Sequence, residues 1–119
     1  MGVAVVMRDW DDVIAAITRV VSDSLHKYSD QTLSNALVFC EMARERYKLP
    51  ADVNAGYWPT IQLHWSATQP VPIELEIHKA SFELYEFSGE LFKVSEFDPG
   101  PSGAIPEALV QRLDEFISR

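Results

Sequence analysis

The chain has 119 residues, of which 47% are hydrophobic and 24% charged, and its 18 acids against 10 bases give a formal net charge of -8. That length suits one domain, which buries roughly two-thirds of its unfolded surface and needs no metal or disulfide to fold. The apolar content excludes a disordered chain, and the acidity excludes broad contact with nucleic acid or an anionic membrane, leaving a basic or a neutral partner.

The first run, GVAVVM, is too short for a signal core and has no basic residue before it. Gly2 does not fit the myristoylation pattern, because position 6 is Val6. No stretch approaches membrane-spanning length, so a cytoplasmic protein is expected. From Trp10, the residues Val13, Ile14, Ile17, Val20, Val21, Leu25 and Tyr28 recur with the helical period. Asp9 can cap this helix while Asp11 and Asp12 complement its dipole, and it is expected to run to about Lys27. A second helix is expected after the cap candidates Ser29 and Asp30, with Leu33, Ala36, Leu37, Cys40, Ala43 and Tyr47 on its apolar face. Arg44, Arg46 and Lys48 would close it before Pro50. Cys40, the single cysteine, rules out an intrachain disulfide or cysteine zinc site and reads as a buried small hydrophobe.

Residues 51–59 read as a loop, with the turn formers Asn54, Gly56 and Pro59 around the large aromatics Tyr57 and Trp58. Trp58, beside Pro59, is the surface aromatic and binding anchor, whereas Trp65 belongs to a core-facing position. Four runs follow: TIQLHWSA, PIELEIHK, SFELYEF and ELFKVSEF. The first two alternate strictly, with Ile61, Leu63, Trp65, Ile73, Leu75 and Ile77 on a dry face and Gln62, His64, Ser66, Glu74, Glu76 and His78 on a wet one. Antiparallel pairing with matched dry faces sets His64 opposite Glu74 or Glu76. In the third run Tyr85 and Phe87 fall on the wet side, which calls for a bulge or a second apolar contact. Ser88-Gly89 marks a hairpin, residues 98–105 a linker, and Pro106 opens a helix with the face Leu109, Val110, Leu113, Phe116 and Ile117.

The predicted architecture is α-α-β-β-β-β-α, a single α+β domain over residues 1–119 in which an N-terminal helical hairpin and a C-terminal helix pack on a four-stranded antiparallel meander. Four strands at roughly 4.8 Å spacing seat about two helices of roughly 10 Å diameter. The third helix is then expected as a second layer, on the sheet's other face, or against a second copy.

His64, His78, Glu74 and Glu76 project from one surface, so an acid/base pair or a divalent metal site is geometrically conceivable, although polar residues are required on that face whatever the function and a metal site wants three or four ligands with outer support. No catalytic constellation stands out. The wet-face glutamates lack the cleft of a glycosidase, there is no nucleophile elbow, and the five glycines form no phosphate loop. No cofactor is expected.

The segment Pro50 to Ile77 carries a strand of the type I-x-L-x-W, in Ile61, Leu63 and Trp65, and one of the type L-E-I-x-I, in Leu75, Glu76 and Ile77. It resembles a group of small bacterial proteins of unknown function, differing in His64 where that group tends to have Glu. The resemblance implies a bacterial or phage source and no catalytic residues. The leading reading is a non-enzymatic interaction or accessory protein, binding another protein through its acidic sheet face or aromatic loop, with Tyr57, Trp58, His64, Glu74, Glu76 and His78 as binding residues. A small metal protein or enzyme using the His64, His78, Glu74 and Glu76 cluster, and a module self-associating through its closing helix, are the alternatives.

Overall fold

The computed structural model of the protein describes residues 7–25, 27–56, 58–66, 71–100 and 103–119. Its elements are α1 (Trp10–Asp23), α2 (Asp30–Ala43), β1 (Asp52–Ala55), β2 (Ile61–Trp65), β3 (Ile73–Ile77), β4 (Phe82–Ser88), β5 (Leu91–Phe97) and α3 (Glu107–Ile117). The strands form one antiparallel sheet in chain order. The α+β class therefore stands, and the four-stranded sheet is corrected to five. The extra strand is the segment DVNA, which pairs with β2 from Asp52 opposite His64 to Ala55 opposite Ile61. Only Val53 of its four residues packs against the core, so β1 lacks the apolar alternation that betrays a strand.

Both N-terminal helices start at their sequence caps. Asp9 accepts from the Asp12 backbone N–H at 2.9 Å, and the Ser29 hydroxyl accepts from that of Thr32 at 3.1 Å, each satisfying a donor that the first turn leaves free. Their ends come earlier than the periodicity suggests. Helix α1 stops at Asp23, leaving Leu25 exposed outside it. Helix α2 stops at Ala43, and Tyr47 then forms a bridge with Ser118. Arg44 and Arg46 consequently work through ion pairs, Arg44 with Asp11 and Glu41 and Arg46 with Asp114, each at 3.1 Å.

One core joins all three helices to the dry sheet face. Ile61, Leu63, Ile73, Leu75, Ile77, Phe82 and Leu84 are buried with Val13, Ile17, Ala36, Phe39, Cys40, Leu109 and Leu113. Each fully buried Leu, Ile or Phe contributes roughly 1.5–3 kcal/mol relative to exposure. The two buried indoles are satisfied, Trp10 donating to the Tyr47 carbonyl at 3.2 Å and Trp65 to that of Lys48 at 3.0 Å. Burial and the neighbouring Glu41 push the Cys40 thiol up to about 12, which leaves it inert at neutral pH.

Helix α3 buries Leu109, Leu113, Phe116 and Ile117 within its own chain. The expectation of a helix held for a second copy is thus corrected, because this face is covered within its own chain. Helix α1 lies beside β1 and α2 beside β3. Helix α3 is tied to β4 by Arg112, whose guanidinium donates to both Glu86 oxygens at 3.0 and 2.5 Å. Its C-terminus is tied to the chain after α2, where the Lys48 backbone N–H donates to the Ile117 carbonyl at 2.8 Å.

The irregular third run pairs without a bulge on either side. Tyr85 and Phe87 do sit on the outer face, so Glu86 faces inward, where Arg112 neutralises it. Between β4 and β5 the turn holds only Gly89 and Glu90, and Gly89, at φ 64°, occupies the left-handed region that the absence of a Cβ makes cheap.

Candidate functional site

Because side chains alternate along each strand, the register stacks the outer face in rows across the sheet. One row reads Asn54, Gln62, Glu76, Glu83 and Glu96; the next reads Asp52, His64, Glu74, Tyr85 and Val94. Beyond them Phe87 lies opposite Phe92. The face is therefore acidic at one end and aromatic at the other.

At the acidic end Glu76 is only 7% exposed, although it lies on the outer face. The loop between β1 and β2 closes over it. Gly56 donates its N–H to the Thr60 carbonyl at 3.0 Å, and that carbonyl also accepts from the Tyr28 hydroxyl at 2.8 Å. The Thr60 hydroxyl, fixed by this loop, donates to Glu76 Oε2 at 2.6 Å. Gln62 Nε2 reaches the same oxygen at 3.5 Å, and the Tyr85 hydroxyl donates to Oε1 at 3.2 Å. A Cβ at Gly56 would fall 1.8 Å from Thr60 Oγ1 and 2.5 Å from Glu76 Oε2, so the closure requires glycine there.

His78 stands just past β3. Its backbone N–H donates to the Ser81 carbonyl at 2.9 Å, and its carbonyl accepts from the buried Asn35 amide of α2 at 2.9 Å. Its Nε2 lies 3.6 Å from Glu76 Oε1 and in close contact with Glu83 Oε1. His64 makes a separate pair, its Nδ1 lying 3.7 Å from Glu74 Oε1. Burial raises the Glu74 carboxyl above its usual range, with Glu76 adding to the rise and His64 opposing it.

The four residues expected as one cluster are thus two pairs, His64 with Glu74 and His78 with Glu76. Glu83, which the sequence reading weighed only as one of the glutamates of a carboxylate pair, joins the second. Aligned dry faces of β3 and β4 place Glu83 on the wet side, and the register sets it opposite Glu76. Among the described residues, Glu76, His78 and Glu83 are the set able to hold a metal ion, their ligand atoms lying within 4.8 Å of one another.

Trp58 is exposed, as expected, and lines a cleft of about 340 Å³ with Lys27, Thr32, Thr60, His78 and Lys79. Tyr57 lies outside the described residues. At the opposite end Tyr85 stacks on Phe87 with ring centres 6.3 Å apart, and Phe92 approaches both at 6.1 and 6.3 Å. The ring of His64 lies 6.4 Å from that of Phe87, linking the histidine pair to the aromatic end. Burial, with Glu76 and Glu83 nearby, pushes the Tyr85 hydroxyl up to about 12, which keeps it a donor at neutral pH.

Strand β5 closes the sheet on this side. Leu91 is 77%, Phe92 60% and Val94 41% exposed. Compared with protein-family models, with curated proteins and with solved structures, the chain has no match. Among the described residues no helix is long and apolar enough to cross a membrane.

Proposed function

We propose that the protein is a protein-interaction module that takes up an extended segment of another protein, basic and apolar in character, along β5 and the aromatic end of the outer sheet face. The observation that carries this reading is the state of β5. It is a seven-residue edge strand with large apolar side chains exposed, without proline or bulge and guarded only by the charges of Lys93 and Glu96. Edge strands are ordinarily blunted by such devices, because their unpaired N–H and C=O groups invite pairing. Strand addition would satisfy those groups, and side-chain contacts would supply selectivity.

Charge supports a basic segment over a second copy. A second β5 paired edge to edge would bring another acidic face beside Glu83 and Glu96, in a chain of net charge -8. Tyr85, Phe87 and Phe92 supply the aromatic surface that interface centres favour.

Panning a library of extended peptides against the intact protein tests the proposal. Peptides combining Lys or Arg with apolar residues should be enriched, and their binding should weaken roughly tenfold or more with Phe92→Lys or Val94→Lys, at about 1.4 kcal/mol per decade. Amide NMR shifts should concentrate in β5. Peptides that bind both variants as tightly as the native chain, or perturb only the cleft at Trp58, would overturn it.

A further inference from the structure

We infer that Glu76, His78 and Glu83 form a binding site for a divalent transition ion of the zinc type. The three ligand atoms converge within 4.8 Å, from a strand, the turn after it and the neighbouring strand. His78 Nε2 is buried and makes no hydrogen bond of ordinary geometry, its neighbours there being two carboxylate oxygens. It faces Glu76 Oε1 and Glu83 Oε1. Three ligand-type atoms thus crowd one point, and coordination of an ion would satisfy all three. Both Glu76 oxygens are held by neighbours: Thr60 and Gln62 donate to Oε2, and Tyr85 donates to Oε1, which also faces the histidine. Such outer contacts are what orient metal ligands. Asn35 and Ser81 fix the His78 backbone in the same way.

The alternative is a protonated His78 shared by two carboxylates. No lysine or arginine among the described residues pairs with Glu76 or Glu83, so a single imidazolium charge would answer two acids. A dication balances both, with His78 neutral and coordinating. One imidazole nitrogen with two carboxylate oxygens suits zinc and its neighbours better than calcium or magnesium, which prefer oxygen alone. Three protein ligands leave coordination positions for water or another ligand. His78 also lines the cleft at Trp58, which offers a route in.

The test is titration of the full chain, stripped with a chelator, with Zn²⁺ or Co²⁺ at pH 7.5. One equivalent should bind, Co²⁺ should develop visible d–d absorption, and millimolar Mg²⁺ should not compete. Glu83→Gln, which removes a charge with little change of shape, and His78→Ala should each weaken binding by at least about tenfold, while His64→Ala leaves it unchanged. If His78→Ala does not fold, Glu83→Gln decides. Failure to bind one equivalent, binding unaffected by Glu83→Gln, or equal loss with His64→Ala would overturn the inference. Since none of these readouts involves β5, the result is independent of the peptide-binding proposal.

Discussion

Two glutamates on opposite faces of the sheet respond to pH with opposite signs. Glu86 faces inward, its side chain 9% exposed, and the hydrogen bonds from Arg112 hold its carboxyl below the usual range. Its stabilising contribution is complete above the unfolded value near 4.5 and is lost as pH falls through the lower folded value. Glu86→Gln should therefore cost about 1 kcal/mol at pH 7, a modest figure because much of the arginine remains solvated. Its melting temperature should converge on that of the native chain in acid. Glu74 behaves inversely. Its folded pKa is raised, chiefly by burial, so the associated stability is full below its unfolded value and is lost as pH rises through the folded one. Glu74→Gln should raise the melting temperature at pH 7 and lose that advantage below about pH 4. Thermal melts of both variants across pH 2–8 check the pair, and parallel curves for the two would refute the assignment of their environments.

Gly56 connects residue chemistry to the behaviour of an element. A methyl group there collides with Thr60 Oγ1 and Glu76 Oε2, so Gly56→Ala must lift the loop between β1 and β2 or break the Thr60–Glu76 hydrogen bond. Overpacking of this kind costs roughly 1–3 kcal/mol. The variant should melt lower and show amide exchange increased first at Thr60 and Gln62; an unchanged melt would mean that the loop does not clasp Glu76. None of this closure was legible in the sequence, because Glu76 reads as an ordinary wet-face residue and only the chain folding back over it makes it buried. Strands β2 and β3 were legible from strict alternation, and the hairpin from Ser88-Gly89. Strand β1 was not, since a strand held mainly by its neighbour's backbone needs only Val53 to be apolar. The helix starts followed from Asp9 and Ser29, which bond locally. Their ends did not, because Leu25 and Tyr47 continue the apolar period after the chain has left the helix. Glu86 shows the same limit: an acid at a dry-face position makes sense only once Arg112 of α3 arrives from another part of the chain.

At the scale of the molecule, net charge separates the kinds of association that an open β5 permits. With eighteen acids against ten bases, two copies repel at a distance, and screening sets in over about 10 Å at 0.1 M salt. Self-pairing along β5 should therefore be weakest at low ionic strength and strengthen as salt is added, because its apolar contacts persist while the repulsion fades. A basic, apolar segment should do the reverse, associating faster and more tightly at low salt and losing affinity as the attraction is screened. Sedimentation of the protein alone, with peptide titrations from 50 to 500 mM salt, reads both slopes on one sample. The expected result is a monomer at 50 mM salt and a peptide affinity that falls across the range. A dimer most stable at the lowest salt would show that something other than this acidic, open-edged surface governs association, and salt-independent peptide binding would place the contact away from the Glu83 and Glu96 row.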